Sequence, residues 1–280
     1  MCSTTISTRA SGFSQAMSKV IVALLIGIFA ASVLAPFISP YDPEEINLDA
    51  LRMPPGVNHP FGTDNKGRDI LSRVVYGGRI SLSVALIAAV LSMGLGLLIG
   101  LISGYAGGKV DAAVMLVVDF ILAFPSLLLA IGISVILRPG IYTVMIAIAS
   151  VGWASFARLV RGHVLSLRSA PFVEAARALG CSGARILFVH LLPQCIPLVI
   201  VMTGLKLGGY ILTEASLSFL GLGAQPPTPT WGSMISAHRA YMVSAPWMVI
   251  FPGLAITVTS LCCNLLGDIL REKYGLKIGG

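Results

Sequence analysis

Apolar runs alternate with polar stretches along the whole chain. Six runs stand out, at residues 20–38, 80–103, 112–137, 141–156, 194–212 and 247–266. A helix needs about 20 largely apolar residues to cross the ~30 Å hydrocarbon core, so each run reads as a membrane span. The first follows Lys19 and meets Pro36 and Pro40, which suits a helix ending at the far interface better than a cleaved leader. No charge occurs from Ile80 to Gly108, whereas the third run is interrupted by Asp119 and Pro125. Gly96, Gly100 and Gly104, with Gly94 beside them, form a small-residue stripe that lets backbones approach, within the chain or against a second subunit. The predicted class is all-α and polytopic, with six transmembrane helices.

Composition agrees. Of 280 residues 56% are hydrophobic and 11% charged, with mean hydropathy +0.89; a soluble domain carries about 25% charged residues. The 30 Gly and 16 Pro are tolerated more readily by membrane helices than by soluble ones. A net charge of +7 fits basic cytosolic loops rather than nucleic-acid binding. Alternate sides of the six spans hold eleven and seven Lys plus Arg, which places both termini and the loop between spans four and five in the cytosol. The five Cys have no paired spacing, so no disulfide is expected. Cys2 directly follows Met1 and is not a cleaved lipoprotein cysteine.

The sequence carries no G-x-x-x-x-G-K-[ST], no H-E-x-x-H and no G-x-S-x-G. Its four His are scattered. The expectation is therefore no catalytic residue, no cofactor and no metal.

The longest cytosolic stretch, residues 158–191, holds Arg158, Arg161, Arg168, Arg177 and Arg185 against one acid, Glu174. Pro171 suits the first turn of a short helix with Ser169 or Ala170 just outside it. Phe172, Ala175, Ala176 and Leu179 then share one face. Gly180 is placed to end that helix in a left-handed conformation, and Ser182 to cap a second that runs toward Pro193. Helices this short are marginal in water. The apolar face either docks on a protein or lies among lipid headgroups with the arginines on phosphates.

Glu174-Ala175-Ala176, three residues, Gly180, nine residues, then His190-Leu191-Leu192-Pro193 resembles the EAA motif of ABC-importer permeases, with His190 where the motif usually has Ile. Phe61-Gly62-Thr63-Asp64 with Gly67-Arg68-Asp69-Ile70-Leu71-Ser72-Arg73, Gly104-Tyr105-Ala106-Gly107-Gly108, Ala123-Phe124-Pro125, Ser218-Phe219-Leu220-Gly221-Leu222-Gly223, Pro226-Pro227-Thr228-Pro229, Trp231-Gly232 and Asn264-Leu265-Leu266-Gly267-Asp268 resemble the peptide and nickel branch. The match spans about residues 37–272, and the tail Arg271-Glu272-Lys273-Tyr274-Gly275 departs from the usual ending.

The resemblance implies a type I ABC-importer permease in a bacterial inner membrane, with an N-terminal region 1–75 and a five-helix core 76–280. It implies a homologous second permease, two cytosolic ATPases and an external substrate-binding protein. Glu174, Ala175, Ala176, Gly180, Leu192 and Pro193, in the loop 158–192, would couple to the ATPases. The solute would be a dipeptide or oligopeptide, or else nickel, glutathione or another small solute.

Three charges fall within or beside spans: Asp119, Lys206 and Glu214. They either line the pathway or serve hydrogen bonding between helices, since a charge at membrane depth faces protein or water. An ion-coupled secondary transporter would instead use Asp119 and Lys206 as a relay. Residues 41–79 and 213–245 face outward on this reading, to dock a binding protein or to plug the outer mouth.

Overall fold

A computed structural model describes the backbone of residues 4–274 and the side chains of residues 18–274. Cys2 and the tail from Gly275 lie outside the described residues. The chain begins with α1 (Thr4–Val33) and α2 (Ala35–Ile38), where Pro36 sits in the first turn. The apolar part of α1, Ser18–Val33, is shorter than a full span. Residues 39–69 form a turn-rich segment that leads to α3 (Ile70–Ala106). Then come α4 (Gly108–Ala123), α5 (Ser126–Ile136) and α6 (Ile141–Leu167). The connection after α6 contains α7 (Pro171–Ala178) and α8 (Gly183–Arg185), and a π-helical turn over Ile186–Leu191 runs into α9 (Leu192–Phe219). The chain closes with α10 (Trp231–His238) and α11 (Trp247–Lys273).

Two expectations change. Among the described residues four helices are long and apolar enough to span, a fifth span results if α4 and α5 count as one, and α1 adds the shorter apolar stretch Ser18–Val33. The third run is two helices bent by 94° at Phe124–Pro125, since the residue before a proline is pushed out of the α region. Helix α6 runs on to Leu167, so Arg158 and Arg161 belong to it and not to a loop. Hydropathy marks where the membrane ends, not where the helix does.

Helix α3 has 37 residues, about 55 Å at 1.5 Å each, well beyond the ~30 Å core. Asp69 caps its start, its carboxylate accepting from Ser72 N–H at 2.8 Å, and Gly107 at φ +66° ends it. The 75/76 boundary drawn from sequence falls inside this helix.

The glycine stripe packs within the chain. A Cβ on Gly96 would meet Phe156 and the Trp153 carbonyl; on Gly100, the Ala157 carbonyl at 2.6 Å; on Gly104, Val164 at 2.9 Å. These positions let α3 lie along α6 at backbone contact, and both helices contribute to the main core through Leu82, Ala85, Ala88, Val144, Ala147 and Ile148. By contrast Leu86, Val90, Leu98 and Ile102 of α3 and Leu254, Val258 and Leu261 of α11 are exposed. A protein whose core and surface are both apolar is built for lipid.

Candidate functional site

The connection between α6 and α9 forms as its local chemistry dictates. Pro171 occupies the first position of α7 after Ala170, whose extended backbone makes it the cap. Glu174 in the first turn and Arg177 in the last both suit the helix dipole. Gly180 has φ +78°, the left-handed stop. Ser182 caps α8, its hydroxyl accepting from Arg185 N–H at 3.3 Å.

The orientation of α7 leaves most of the sequence-based face in the open and differs from it at Ala176. Val173 and Ala176 point inward and are buried, whereas Phe172, Ala175 and Leu179 are exposed, Leu179 at 84%. Val173 and Ala176 join Ile186, Leu191, Cys195 and Phe156 in a second core cluster, with Leu192 partly buried against it. Thus Ala176 and Leu192 anchor the connection, while Glu174, Ala175, Gly180 and Pro193 face outward. Phe188 and Val189 extend the exposed apolar surface. Beneath α7 the Arg177 guanidinium lies 5.6 Å from the Tyr105 ring centroid, a cation–π contact to the end of α3.

Two ion pairs join α4 to α6 beside this connection. Arg161 grips Asp111 with both ends of its guanidinium, Nε to Oδ1 at 2.9 Å and Nη2 to Oδ2 at 2.5 Å, and Ser103 adds a hydroxyl at 2.5 Å. Arg158 pairs with Asp119 on more exposed ground. Asp119 is thereby placed on an interhelical pair. Sequence reasoning overlooked Asp111, although its four-residue distance from Gly107 at the head of a helix is visible.

Glu214 is 1% exposed inside the packing of α9. Ser218 donates to its Oε1 at 2.7 Å, and Oε2 has no partner. Lys206, midway along α9, is half-buried and lines a cleft with Ser126, Ser155, Tyr210 and Thr213. The three charges are therefore not brought together.

In the segment before α3, Asp64 is fully buried. Its carboxylate accepts from Arg68 Nε at 2.7 Å and from the backbone N–H groups of Lys66 at 2.7 Å and Arg68 at 3.0 Å; Arg73 Nε is 3.9 Å away and His238 Nε2 is 3.6 Å away. Burial pushes this carboxyl upward, but His238, the Arg68 charge and the two backbone donors outweigh it and hold it well below the usual carboxylate range. Arg73 also donates to the Pro43 carbonyl at 2.6 Å, and His59 Nδ1 lies 2.9 Å from Asp69. Trp231 donates its indole N–H to the Val74 carbonyl at 2.8 Å, fastening α10 to α3.

Residues 96–275 match the family described as binding-protein-dependent transport system inner membrane component. The chain is 44% identical over 267 residues to the glutathione transport system permease protein GsiD of Escherichia coli O6:K15:H31 (strain 536 / UPEC), covering 95% of this chain and 88% of that protein. It is 45% identical, with the same coverage, to GsiD of Shigella flexneri serotype 5b (strain 8401). Among solved structures it resembles an inward-facing form of the MetNI methionine ABC transporter, with TM-score 0.61 at 16% identity, covering 72% of this chain and 97% of that one. An amino acid ABC transporter with histidines gives TM-score 0.55 at 16% identity, over 72% and 94% of the two chains.

Proposed function

The chain belongs to the family of binding-protein-dependent transport system inner membrane components, and from that premise we propose that it forms, with a second permease, the path by which short peptides, glutathione among them, enter the cell. Membership of the family makes it a multi-pass permease of an ABC importer rather than an enzyme. Its power comes from two cytosolic ATPases and its cargo from an external binding protein.

One observation carries the coupling role: α7 is held from behind by Val173 and Ala176 and presents Phe172, Ala175 and Leu179 to the outside. An eight-residue helix with bare apolar side chains is marginal without a partner. A groove on each ATPase would cover this face. Because α6, α7, the π turn and α9 share one core cluster, closing the ATPases would move them as a body. The termini and α7 lie in the cytosol on this reading, and residues 39–69 with α10 face the binding protein.

The test is reconstitution of the permease pair, ATPases and binding protein in proteoliposomes, with labelled glutathione, a dipeptide and nickel ion as cargo. ATP-dependent accumulation of the first two supports the reading. Accumulation of nickel alone, or transport by the isolated chain on an ion gradient, would overturn it. An Ala175→Cys variant should cross-link to an ATPase subunit, and a cross-link to the external protein instead would reverse the orientation.

A further inference from the structure

The cleft beside Lys206 sits where α4 and α5 break, and it is walled by α6 and α9. Its volume is about 70 Å³, room for the end group of a solute and a few waters rather than a whole peptide. Four features gather there. Lys206 has no hydrogen bond or ion pair among the described residues, although it stands midway along a span. Tyr210, one turn further along the same face, is 7% exposed, and its hydroxyl lies beside Ser92 Oγ without a hydrogen bond of ordinary geometry. Ser126, the first residue of α5, lines the cleft, and no side chain caps that helix start. No Asp or Glu lines the cleft.

Each of these favours the same ligand chemistry. An ammonium at membrane depth needs an anion or water. A helix N-terminus in a broken span offers free N–H groups and the positive end of its dipole. A buried phenolic hydroxyl with only a poorly placed serine beside it is a donor held ready, because leaving it badly paired costs free energy. Gly152 keeps that hydroxyl where it is, since a Cβ there would collide with Tyr210 Oη and Ser92 Oγ.

We propose that the Lys206–Tyr210 cleft at the α4–α5 elbow is a carboxylate subsite, taking the free terminal carboxylate of the solute as it passes. The proposal rests on the importer reading above and adds to it which chemical group the chain recognises. Lys206 supplies the charge and Tyr210 the hydrogen bond, while the solute's remaining length lies outside the cleft.

The experiment uses the complete reconstituted importer with glutathione and trialanine, each as the free acid and as the C-terminal amide. The binding protein sets an acid-to-amide preference of its own, so the quantity read is the change in that preference between wild type and variants. Lys206→Met is expected to raise KM for the acids roughly tenfold with little change for the amides, the loss expected for one charge-assisted hydrogen bond. Lys206→Arg should restore most of the preference, and Tyr210→Phe, which removes one oxygen from a filled site, should lower it about threefold, the scale of a neutral hydrogen bond. Equal losses for acids and amides in Lys206→Met, or an unaltered preference in both Lys206→Met and Tyr210→Phe, would overturn the subsite while leaving the importer standing. Failure of Lys206→Met to co-purify with the second permease, with Tyr210→Phe unchanged in preference, would assign Lys206 to the subunit interface and overturn it too. No ATP-dependent uptake of any of the four solutes by wild type would remove the importer reading and the subsite together.

Discussion

The segment before α3 and the connection between α6 and α9 treat charge and apolar surface in opposite ways. In the first, Asp64, Asp69, Arg68 and Arg73 are all buried, and Asp64 alone accepts from one guanidinium and two backbone donors. Beside the second, the ion pairs lie on partly exposed ground, and it is apolar side chains, Phe172 and Leu179, that stand in the open. The segment before α3 completes its own bonding within one polypeptide. The α6–α9 connection is pinned by a few contacts and leaves its apolar face open. A region that closes on itself holds shape; one that does not has surface left over.

The sharpest way to break this contrast is Asp64→Asn. It leaves Arg68 and Arg73 buried with their shared counter-charge gone, and such a loss costs about 3–5 kcal/mol. Thermal unfolding in detergent should show a large drop in Tm, and an unchanged Tm would mean the Asp64 network is not self-sufficient. Next in size is Gly180→Ala in the α6–α9 connection. Nothing crowds a Cβ there, but φ +78° costs a non-glycine residue about 1–2 kcal/mol. Uptake should fall while membrane insertion persists, and Gly180→Asp should uncouple ATP hydrolysis from transport; normal uptake by both would count against coupling at α7.

Arg161→Gln ranks third. Its pair with Asp111 is partly exposed, so the loss should be about 1 kcal/mol or less, read as a small Tm shift. Smallest for stability is Leu179→Ser, within about 0.5 kcal/mol, because the side chain touches little in this chain. That variant should nevertheless weaken co-purification of the ATPases, and a large Tm loss with intact assembly would show the face to be structural.

Acid sharpens the comparison further. Because the folded Asp64 carboxyl sits below its unfolded value of about 3.9, its stabilisation is fully present above that pH and is lost as pH falls through the folded value. The Tm gap between wild type and Asp64→Asn should therefore be flat from pH 8 to pH 5 and narrow only under strong acid. A gap that closes already between pH 7 and pH 5 would assign the effect to another group.

Much of the α6–α9 connection was legible because its signals are local. Pro171, Gly180 and Ser182 act within one turn of themselves, and each does what its chemistry dictates. The stripe of Phe172, Ala175 and Leu179 was legible as an apolar face left open, and those three side chains are exposed. What was not legible is that Ala176 leaves that stripe and turns inward with Val173, because the side chains that cover it, Ile186, Leu191 and Cys195, reach it only through the fold. The continuation of α6 past Arg158 and the break before Pro125 were half visible, since charges end a hydropathy run without ending a helix, while a proline signals a bend but not its size. The partners of Asp64 at Arg68 and Arg73 lay nearby in sequence, but His238 arrives only through the fold.

Consider α3 once more. It is a single unjointed shaft, gripped by the ionic knot at its head and pressed flank to flank on α6 through Gly96, Gly100 and Gly104 lower down. A shaft without a hinge transmits torque. A displacement of α6 along the glycine stripe would therefore be carried by α3 toward Asp69, so the two ends of the shaft are mechanically linked.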